Sequence, residues 1–215
     1  MTELWLIRHG ETTWSAEGRH TGRTDLPLTV NGRRQAAALG KALAGTKFAA
    51  VRCSPLLRAK ETCEIAGFGG VAVVDEGLRE WDYGVYEGRT SQEIQAEIPG
   101  WSVWKDTIVG GETVEQVGAR ADGAIARALY AGGGPMSQNR DPSTSSGQAM
   151  GHPTDDVVRV ALFAHAHILR ILAARWIGLE ARDGSLFALG TGSVSVLGWE
   201  KETRVIRGWN RGFEE

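Results

Sequence analysis

The apolar positions of the chain fall into short runs separated by longer segments with helical spacing. Leu4–Ile7 and Val157–Ala164 are almost continuously apolar, which is typical of strands buried on both faces of a parallel sheet. Further strands are predicted at Phe48–Cys53, Val71–Val74, Ser193–Trp199 and Arg204–Trp209, the last two as a hairpin.

Helices are predicted between these strands from apolar spacing and from capping residues. Thr29 is a good helix N-cap, and Thr90 with Glu93 and Thr113 with Gln116 form capping-box patterns. The predicted helices run from Thr29 to Leu43, from Leu56 to Ala66, from Thr90 to near Pro99, from Thr113 to about Tyr130 and from Ile168 to Ile177. A chain of 215 residues with this pattern predicts one α/β domain spanning 1–215.

Residues 131–156 differ in composition from the rest of the chain. They are rich in glycine, serine and proline and poor in large apolar residues. We interpret this segment as a flexible surface insertion with no catalytic role.

Composition narrows the function classes. The net charge is −2 without a block of like charges, which argues against a nucleic-acid or membrane surface. No stretch approaches the ~20 apolar residues that cross a bilayer, and the chain enters its first strand without a signal-peptide pattern. Cys53 and Cys63 are expected to be reduced thiols, so the expected location is cytoplasmic.

Three predicted strands end in residues suited to phosphate chemistry. Arg8-His9-Gly10 follows the first strand, Arg58 opens the helix after the second, and His165 follows the strand ending at Ala164. Ligand sites in open α/β sheets lie beyond the carboxyl ends of strands. Arginine is a fixed cation that suits phosphate, and histidine can act as nucleophile or base. Gly10 permits close backbone approach at the turn.

The segment Leu78–Gly88 is dense in acids, aromatic residues and glycines, which indicates an ordered loop. We expect the loop to place a carboxyl group among aromatic rings, where desolvation raises its pKa and keeps it protonated. Glu80 is the main candidate, with Glu87 and Asp82 as rivals. The tryptophans at 14, 81, 101 and 104 suggest aromatic walls around a cleft.

Together these motifs resemble the histidine phosphatase superfamily, the phosphoglycerate mutase-like enzymes. The matching residues stand in family order: Arg8-His9-Gly10-Glu11-Thr12; Ser54-Pro55-Leu56-Leu57-Arg58-Ala59 with Thr62; Leu78 and Glu80 with Tyr83-Gly84 and Glu87-Gly88; Gly111-Glu112-Thr113 with Arg120; and Ala164-His165-Ala166-His167. The resemblance implies a three-layer α/β/α sandwich with a mostly parallel central sheet.

The resemblance also implies catalytic roles. His9 is expected to be the nucleophile that becomes phosphohistidine, while Arg8, Arg58 and His165 bind the phosphoryl oxygens. Glu80 is expected to protonate the leaving group and then activate water as a base. No metal or cofactor is expected, because the arginines stabilise the charge on the phosphoryl group.

Five further residues form the predicted substrate-binding set. Ser15 stands where the family often has asparagine, and its hydroxyl can bond a phosphate oxygen. His20 and Thr21 are expected to line the substrate side of the cleft, together with Tyr83. Arg170 either reaches a second anionic group or is a solvated helix arginine.

The last motif contains a second departure from the family. Ala166 replaces the usual glycine, which would cost on the order of 1 kcal/mol if the position required positive φ. The spacing of His165 and His167 is typical of a pair of metal ligands, but no third ligand accompanies it at useful spacing. His167 is therefore assigned a structural role.

The local motifs are most similar to acid phosphatases and sedoheptulose-bisphosphatase-type enzymes of the family. Mutases of the family carry extra basic residues after the acid loop, whereas residues 91–110 offer only Lys105. The predicted function is therefore hydrolysis of phosphomonoesters of small metabolites, sugar phosphates in particular. The alternatives are a cofactor-dependent phosphoglycerate mutase and a non-catalytic phospho-ligand-binding module. The expected partner is a small phosphorylated substrate, and a homodimer is left open.

Overall fold

A computed structural model of the chain describes residues 1–133 and 157–213. Most of the insertion predicted at 131–156 lies outside the described residues. The strands are β1 (Thr2–Arg8), β2 (Ala50–Cys53), β3 (Ala72–Val74), β4 (Val158–Ala164), β5 (Val194–Glu200) and β6 (Thr203–Arg211). The helices are α1 (Thr13–Ala16), α2 (Val30–Leu43), α3 (Leu57–Ile65), α4 (Ser91–Glu97), α5 (Val114–Ala131) and α6 (Ala166–Trp176).

The strands form one six-stranded sheet in the order β3-β2-β4-β1-β5-β6. The first four of these strands are parallel, and β5 and β6 continue the sheet antiparallel. Arg8 lies opposite Ala164, and Cys53 lies opposite Phe163. The residues that follow β1, β2 and β4 therefore meet at one edge of the sheet, as the sequence predicted.

Alternating side chains of the buried strands pack on opposite faces of the sheet. Leu4 and Leu6 of β1 join a cluster with the apolar sides of α5 and α6. Ile7 joins a second cluster with the apolar sides of α2 and α3. The arrangement confirms the predicted three-layer α/β/α sandwich.

The helices begin at the predicted capping residues. The hydroxyl of Thr29 accepts the Gly32 N–H, and Thr90 and Thr113 form complete capping boxes with Glu93 and Gln116. The last helix is the exception, since α6 begins at Ala166 and not at Ile168. His165 is its N-cap residue, so His167 lies in the first helical turn.

Glycine is required where the turn after β1 passes the start of α2. A Cβ on Gly10 would lie 2.3 Å from the carbonyl oxygen of Gly32, and one on Gly32 would lie 2.1 Å from that of Glu11. The close backbone approach predicted at Gly10 is therefore confirmed, and it holds the turn carrying His9 against α2.

Cys53 and Cys63 are free and buried in the core between the sheet and α3. Interaction with the neighbouring Cys63 thiol and burial raise the pKa of the Cys53 thiol, so it stays protonated. Within residues 1–133 and 157–213, no helix has the length and apolar character that crossing a membrane demands.

Candidate active site

A cavity of about 400 Å³ opens at the carboxyl ends of the parallel strands. Eight of the predicted site residues line this cavity: Arg8, His9, Ser15, His20, Thr21, Glu80, Tyr83 and Arg170. Arg58 and His165 are fully buried beneath the floor, next to His9. The structure thus brings all ten predicted residues to one place.

The ring of His9 is held in one orientation. Its Nδ1–H donates to the carbonyl of Gly10 at 2.7 Å, which leaves Nε2 as the unprotonated nitrogen. Burial and the nearby cations Arg58 and Arg8 hold the pKa of His9 well below its usual range. The hydroxyl of Thr62 accepts the Gly10 N–H at 3.0 Å and fixes the turn. His9 is therefore a neutral imidazole with a free lone pair.

Arg58 and His165 form a buried pair under this ring. The Nε–H of Arg58 donates to Nδ1 of His165 at 3.0 Å, so the proton of the neutral His165 lies on Nε2, 2.7 Å from the Ser54 hydroxyl. Burial and Arg58 lower the pKa of His165 well below its usual range. The His165 and His9 ring centroids are 5.1 Å apart.

The same guanidinium also holds the polar loop that follows α1. Arg58 donates from Nη1 to the Thr24 carbonyl at 3.0 Å and from Nη2 to the Thr21 and Gly22 carbonyls at 2.9 and 3.1 Å. From the other side, the Glu87 carboxylate accepts the N–H groups of Gly22 and Thr24. The loop is thus fixed between a buried cation and an anion.

These contacts separate the three acids of the predicted acid loop. Glu87 is committed to the loop backbone, and Asp82 pairs with Arg23 at 2.6 Å and accepts the Gly84 N–H. Neither is among the residues that line the cavity, whereas Glu80 is. Glu80 is the acid placed to reach a substrate.

The ionisation of Glu80 differs from the sequence prediction. Its Oε1 accepts the N–H groups of Trp81 and Ile168, and its Oε2 accepts that of His167, all at 3.0 Å. Two of these donors belong to the first turn of α6, where the helix dipole also favours an anion. Burial raises the pKa of Glu80. Its interactions with His167 lower the pKa by more, so the pKa lies well below its usual range. The expected protonated carboxyl is wrong for the free protein, because backbone donors stabilise the carboxylate.

Arg120 and Glu112 position the acid loop from behind. Arg120 donates to the carbonyls of Gly77, Arg79 and Glu80, and Glu112 binds its guanidinium at 2.7 and 2.8 Å. The family-like motif at these positions therefore supports Glu80 without contacting the cavity.

Arg8 is the cation of the cavity floor itself. Its Nη1 donates to the Leu189 carbonyl, and its Nε is buried without an acceptor among the described residues. Burial lowers the pKa of Arg8 to about 10, so the guanidinium remains charged near neutral pH. A charged group with donors to spare is suited to an incoming phosphate.

Two of the predicted hydroxyl ligands are already hydrogen-bonded. Ser15 closes a capping box with Thr12, accepting its N–H at 2.8 Å and donating to its carbonyl at 2.9 Å. The Thr21 hydroxyl donates to the Arg19 carbonyl at 3.1 Å. Both side chains line the cavity, but each hydroxyl proton points to protein in this state.

Aromatic rings surround the outer part of the cavity. His20 packs on Tyr83 and Trp101, with ring centroids 4.8 and 5.5 Å away, and burial lowers its pKa to about 4. The Arg170 guanidinium stacks on Trp104 at 4.6 Å and donates to the Gly184 carbonyl. Arg170 is therefore part of the cavity wall and not a solvated helix arginine.

Other lining residues were not among the site residues predicted from the sequence. They are Gly18, Arg19, Ser91, Gln95, Ser102, Val103, His167 and Leu189. The Ser91–Val103 group comes from α4 and the loop after it, and no local motif marks it. Trp101 and Trp104 were expected as walls and do line the cavity, whereas Trp81 is buried behind it.

Ala166 does not require a glycine conformation. It is the first residue of α6, and the described non-glycine residues with positive φ are Lys201 and Asn210. Alanine therefore replaces the family glycine at position 166 without backbone strain.

Comparisons with known proteins agree with this geometry. The family model of the histidine phosphatase superfamily (branch 1) matches residues 4–135 and 147–212. An acid phosphatase of Mycobacterium tuberculosis is 38% identical over 94% of this chain and 89% of its own length. Sedoheptulose 1,7-bisphosphatase of Saccharomyces cerevisiae is 35% identical over 81% of this chain and 67% of its own length.

The fold is also found among solved structures. The product of a Mycobacterium tuberculosis open reading frame superposes with a TM-score of 0.82 at 36% identity, over 98% of both chains. Sequence, fold and site geometry agree, and the chain belongs to the histidine phosphatase superfamily and is a phosphatase of that type.

Proposed function

We propose that this phosphatase hydrolyses phosphomonoesters of small metabolites, sugar phosphates in particular, through a phosphohistidine on His9. The observation that carries the proposal is the neutral His9 ring, with its Nδ1–H bound to Gly10 and Nε2 free beside Arg8. The similarity to a sedoheptulose bisphosphatase and to an acid phosphatase supports the substrate class.

In the first step Nε2 of His9 attacks the phosphorus atom, and the ester oxygen leaves. Charge spreads over three equatorial oxygens, and Arg8 neutralises it from the cavity floor. Arg58 has four of its five N–H groups on described protein acceptors, which leaves one for a phosphoryl oxygen. The Nε2–H of His165, now on Ser54, is the other donor that we assign to the phosphoryl group.

Glu80 is the proton donor to the leaving oxygen and then the base that activates water. Oε1 already accepts two N–H groups, whereas Oε2 accepts one and has a lone pair to spare. A bound phosphate places like charge next to the carboxylate, which raises the pKa of Glu80 relative to the free protein. Substrate binding therefore favours the protonated acid that the first step needs.

The cavity also supports hydrolysis over transfer. A volume of about 400 Å³ accommodates a sugar phosphate, and Arg170 on the wall can pair with a second anionic group. Lys105 is the one lysine or arginine in residues 91–110. A site with few cations at this end does not retain the dephosphorylated product for a second phosphoryl transfer, so water reacts with the phosphohistidine instead.

The test is rapid-quench mass spectrometry of the intact protein with 4-nitrophenyl phosphate at mildly acidic pH. We expect a transient adduct of one phosphoryl group on the wild type and none on His9→Ala, with turnover lost as well. Turnover that survives in His9→Ala would overturn the proposal. A strict requirement for added bisphosphoglycerate would instead assign the chain as a mutase.

A further inference from the structure

His167 has no role in the mechanism above, yet it lines the same cavity as His9 and Glu80. Its backbone N–H binds Glu80 Oε2, and its ring Nδ1 lies 2.7 Å from the Tyr83 hydroxyl and 3.8 Å from the same Oε2. The His167 side chain is 17% exposed and that of Glu80 is 5% exposed. His167 is therefore an imidazole that lies beside the carboxylate and also lines the open cavity.

The chemistry of the first step leaves a proton unaccounted for. Three backbone N–H groups hold Glu80 as a carboxylate in the free protein. An alkoxide leaving group nevertheless needs a proton as the ester bond breaks. A side chain next to Glu80 can supply that proton when the substrate arrives.

We propose that His167 is this group: it stores the leaving-group proton on its imidazole and passes it to the leaving oxygen through Oε2 of Glu80. The inference rests on the proposed phosphohistidine route. His167 does not contact the substrate in this scheme; it acts through Glu80 and is therefore a positioning residue. The sequence had predicted a structural role for it.

Tyr83 allows the ring to exist in both protonation states. Burial raises the pKa of Tyr83 well above its usual range, so the phenol keeps its proton. A phenol can donate to Nδ1 of the neutral ring and accept from Nδ1–H of the charged one. Trp104 and Trp81, with ring centroids 5.1 and 6.1 Å from that of His167, fix the ring between them.

Described charged groups of both signs lie around His167. Glu80 on the acid loop favours the imidazolium, whereas Arg170 on α6, stacked on Trp104, and Arg8 on β1 oppose it. His20 from the loop after α1 lies 6.2 Å away, and its pKa of about 4 leaves it uncharged near neutral pH. A bound phosphate adds negative charge to this cavity, which favours a proton on the groups beside it.

The proton balance closes over one turnover. In the first step the bond from His9 Nε2 to phosphorus forms, the ester bond breaks, and the proton moves from His167 Nδ1 to Oε2 and on to the leaving oxygen. In the second step water forms its bond to phosphorus, the bond to His9 breaks, and the water proton returns to His167 through Oε2. The 3.8 Å separation must shorten by about 1 Å for the transfer.

The test compares leaving groups in His167→Gln, with Glu80→Gln as reference. A nitrophenolate departs without a proton, whereas the alkoxide of glycerol phosphate does not. We expect His167→Gln to lose about 10²-fold or more in kcat/KM, which reports the first step and not the shared hydrolysis of the phosphohistidine, on the alkyl ester and only a few-fold on the aryl ester. Glu80→Gln should show the same difference between the two esters. The His9 adduct from the aryl ester should form normally.

Chemical rescue adds a measurement that a structural role would not move. Imidazole added to His167→Ala should restore alkyl ester turnover. His20→Ala is the matched control, since His20 is the other cavity histidine packed on Tyr83 and should not be rescued.

Equal loss on both esters, or no loss on either, overturns the inference, as does failure of imidazole to rescue His167→Ala. These outcomes are distinct from failure of the proposed function. That failure would show as a missing phosphoryl adduct in the wild type.

Discussion

The cavity has two ends that are built differently. The floor comprises Arg8 and His9, which line the cavity, and Arg58 and His165, which are buried beneath them. Each of these residues ends a strand, follows one, or lies in the first turn of the helix after one. The cavity wall consists of Tyr83, Trp101, Trp104, His167 and Arg170, which come from loops and from one face of α6. Directional hydrogen bonds hold the floor, whereas ring packing holds most of the wall.

This difference predetermines what each end can do. A buried charge with several acceptors has one arrangement, and removing it leaves the acceptors without partners. Ring contacts are less directional and tolerate a range of leaving groups. The floor therefore suits the one feature that all phosphomonoesters share, and the wall suits the part that varies between substrates.

The largest effects should come from replacing Arg58 or Arg8, and the two replacements should differ in how much stability they cost. Arg58→Met removes the partners of the Thr21, Gly22 and Thr24 carbonyls, so we expect a loss of about 3 kcal/mol in the free energy of unfolding besides a large loss of kcat/KM. Arg8→Met removes one bond, to Leu189, and should lower kcat/KM about 10³-fold with a much smaller loss of stability. Urea unfolding and steady-state kinetics measure both.

Equal stability losses in the two variants would contradict the distinction. It would mean that the floor is one cooperative unit and that Arg58 has no special part in holding the loop at 21–24.

The floor could be predicted from the sequence because each of its residues is adjacent to a strong strand signal. Apolar runs located the ends of β1 and β4, and the parallel sheet brought Arg8, His9 and His165 together. The helix after β2 added Arg58. Local patterns sufficed here because topology alone decides where strand ends meet.

The charge state of Glu80 could not be predicted in the same way. The aromatic composition of its loop indicated desolvation, but the donors that stabilise the carboxylate belong to α6, more than eighty residues away in sequence. Starting that helix at Ile168 also left His167, whose N–H binds Oε2, outside the predicted helix. Desolvation alone therefore gave the wrong protonation state, because no pattern near Glu80 in sequence indicates the N–H donors of α6.

The sequence contains a second pattern at Ser15, a helix-capping pair, that its predicted phosphate contact does not take into account. Thr12 and Ser15 have the spacing of a capping pair, and the structure shows the two residues bonding each other reciprocally. A phosphate ligand role for Ser15 stays a prediction, and its hydroxyl would have to leave the cap to fulfil it.

A smaller effect should come from the wall, through Trp104. Trp104→Ala removes the ring under the Arg170 guanidinium and beside His167, so we expect KM for a sugar phosphate to rise about 10-fold. Methyl phosphate does not reach the wall, and its KM should change much less. Trp209→Ala, which alters an aromatic contact with Phe187 elsewhere, is the control. An equal rise in KM for both substrates would place Trp104 at the phosphate end.

The last effect concerns His20 and the pH dependence of stability. Its pKa is about 4 in the folded protein and about 6.5 in the unfolded chain, so the unfolded state binds more protons between these values. Stability contributed by His20 is therefore present above about pH 6.5 and is lost as pH falls toward 4, by about 2 kcal/mol between pH 7 and pH 5. His20→Gln does not titrate, so urea unfolding at both pH values should show a smaller loss of the free energy of unfolding between pH 7 and pH 5.

The pH dependence that remains in this variant includes that of His9 and His165 on the floor, whose pKa values burial also lowers. An unchanged slope would mean that His20 is already solvated, and that the wall, unlike the floor, takes up protons without cost.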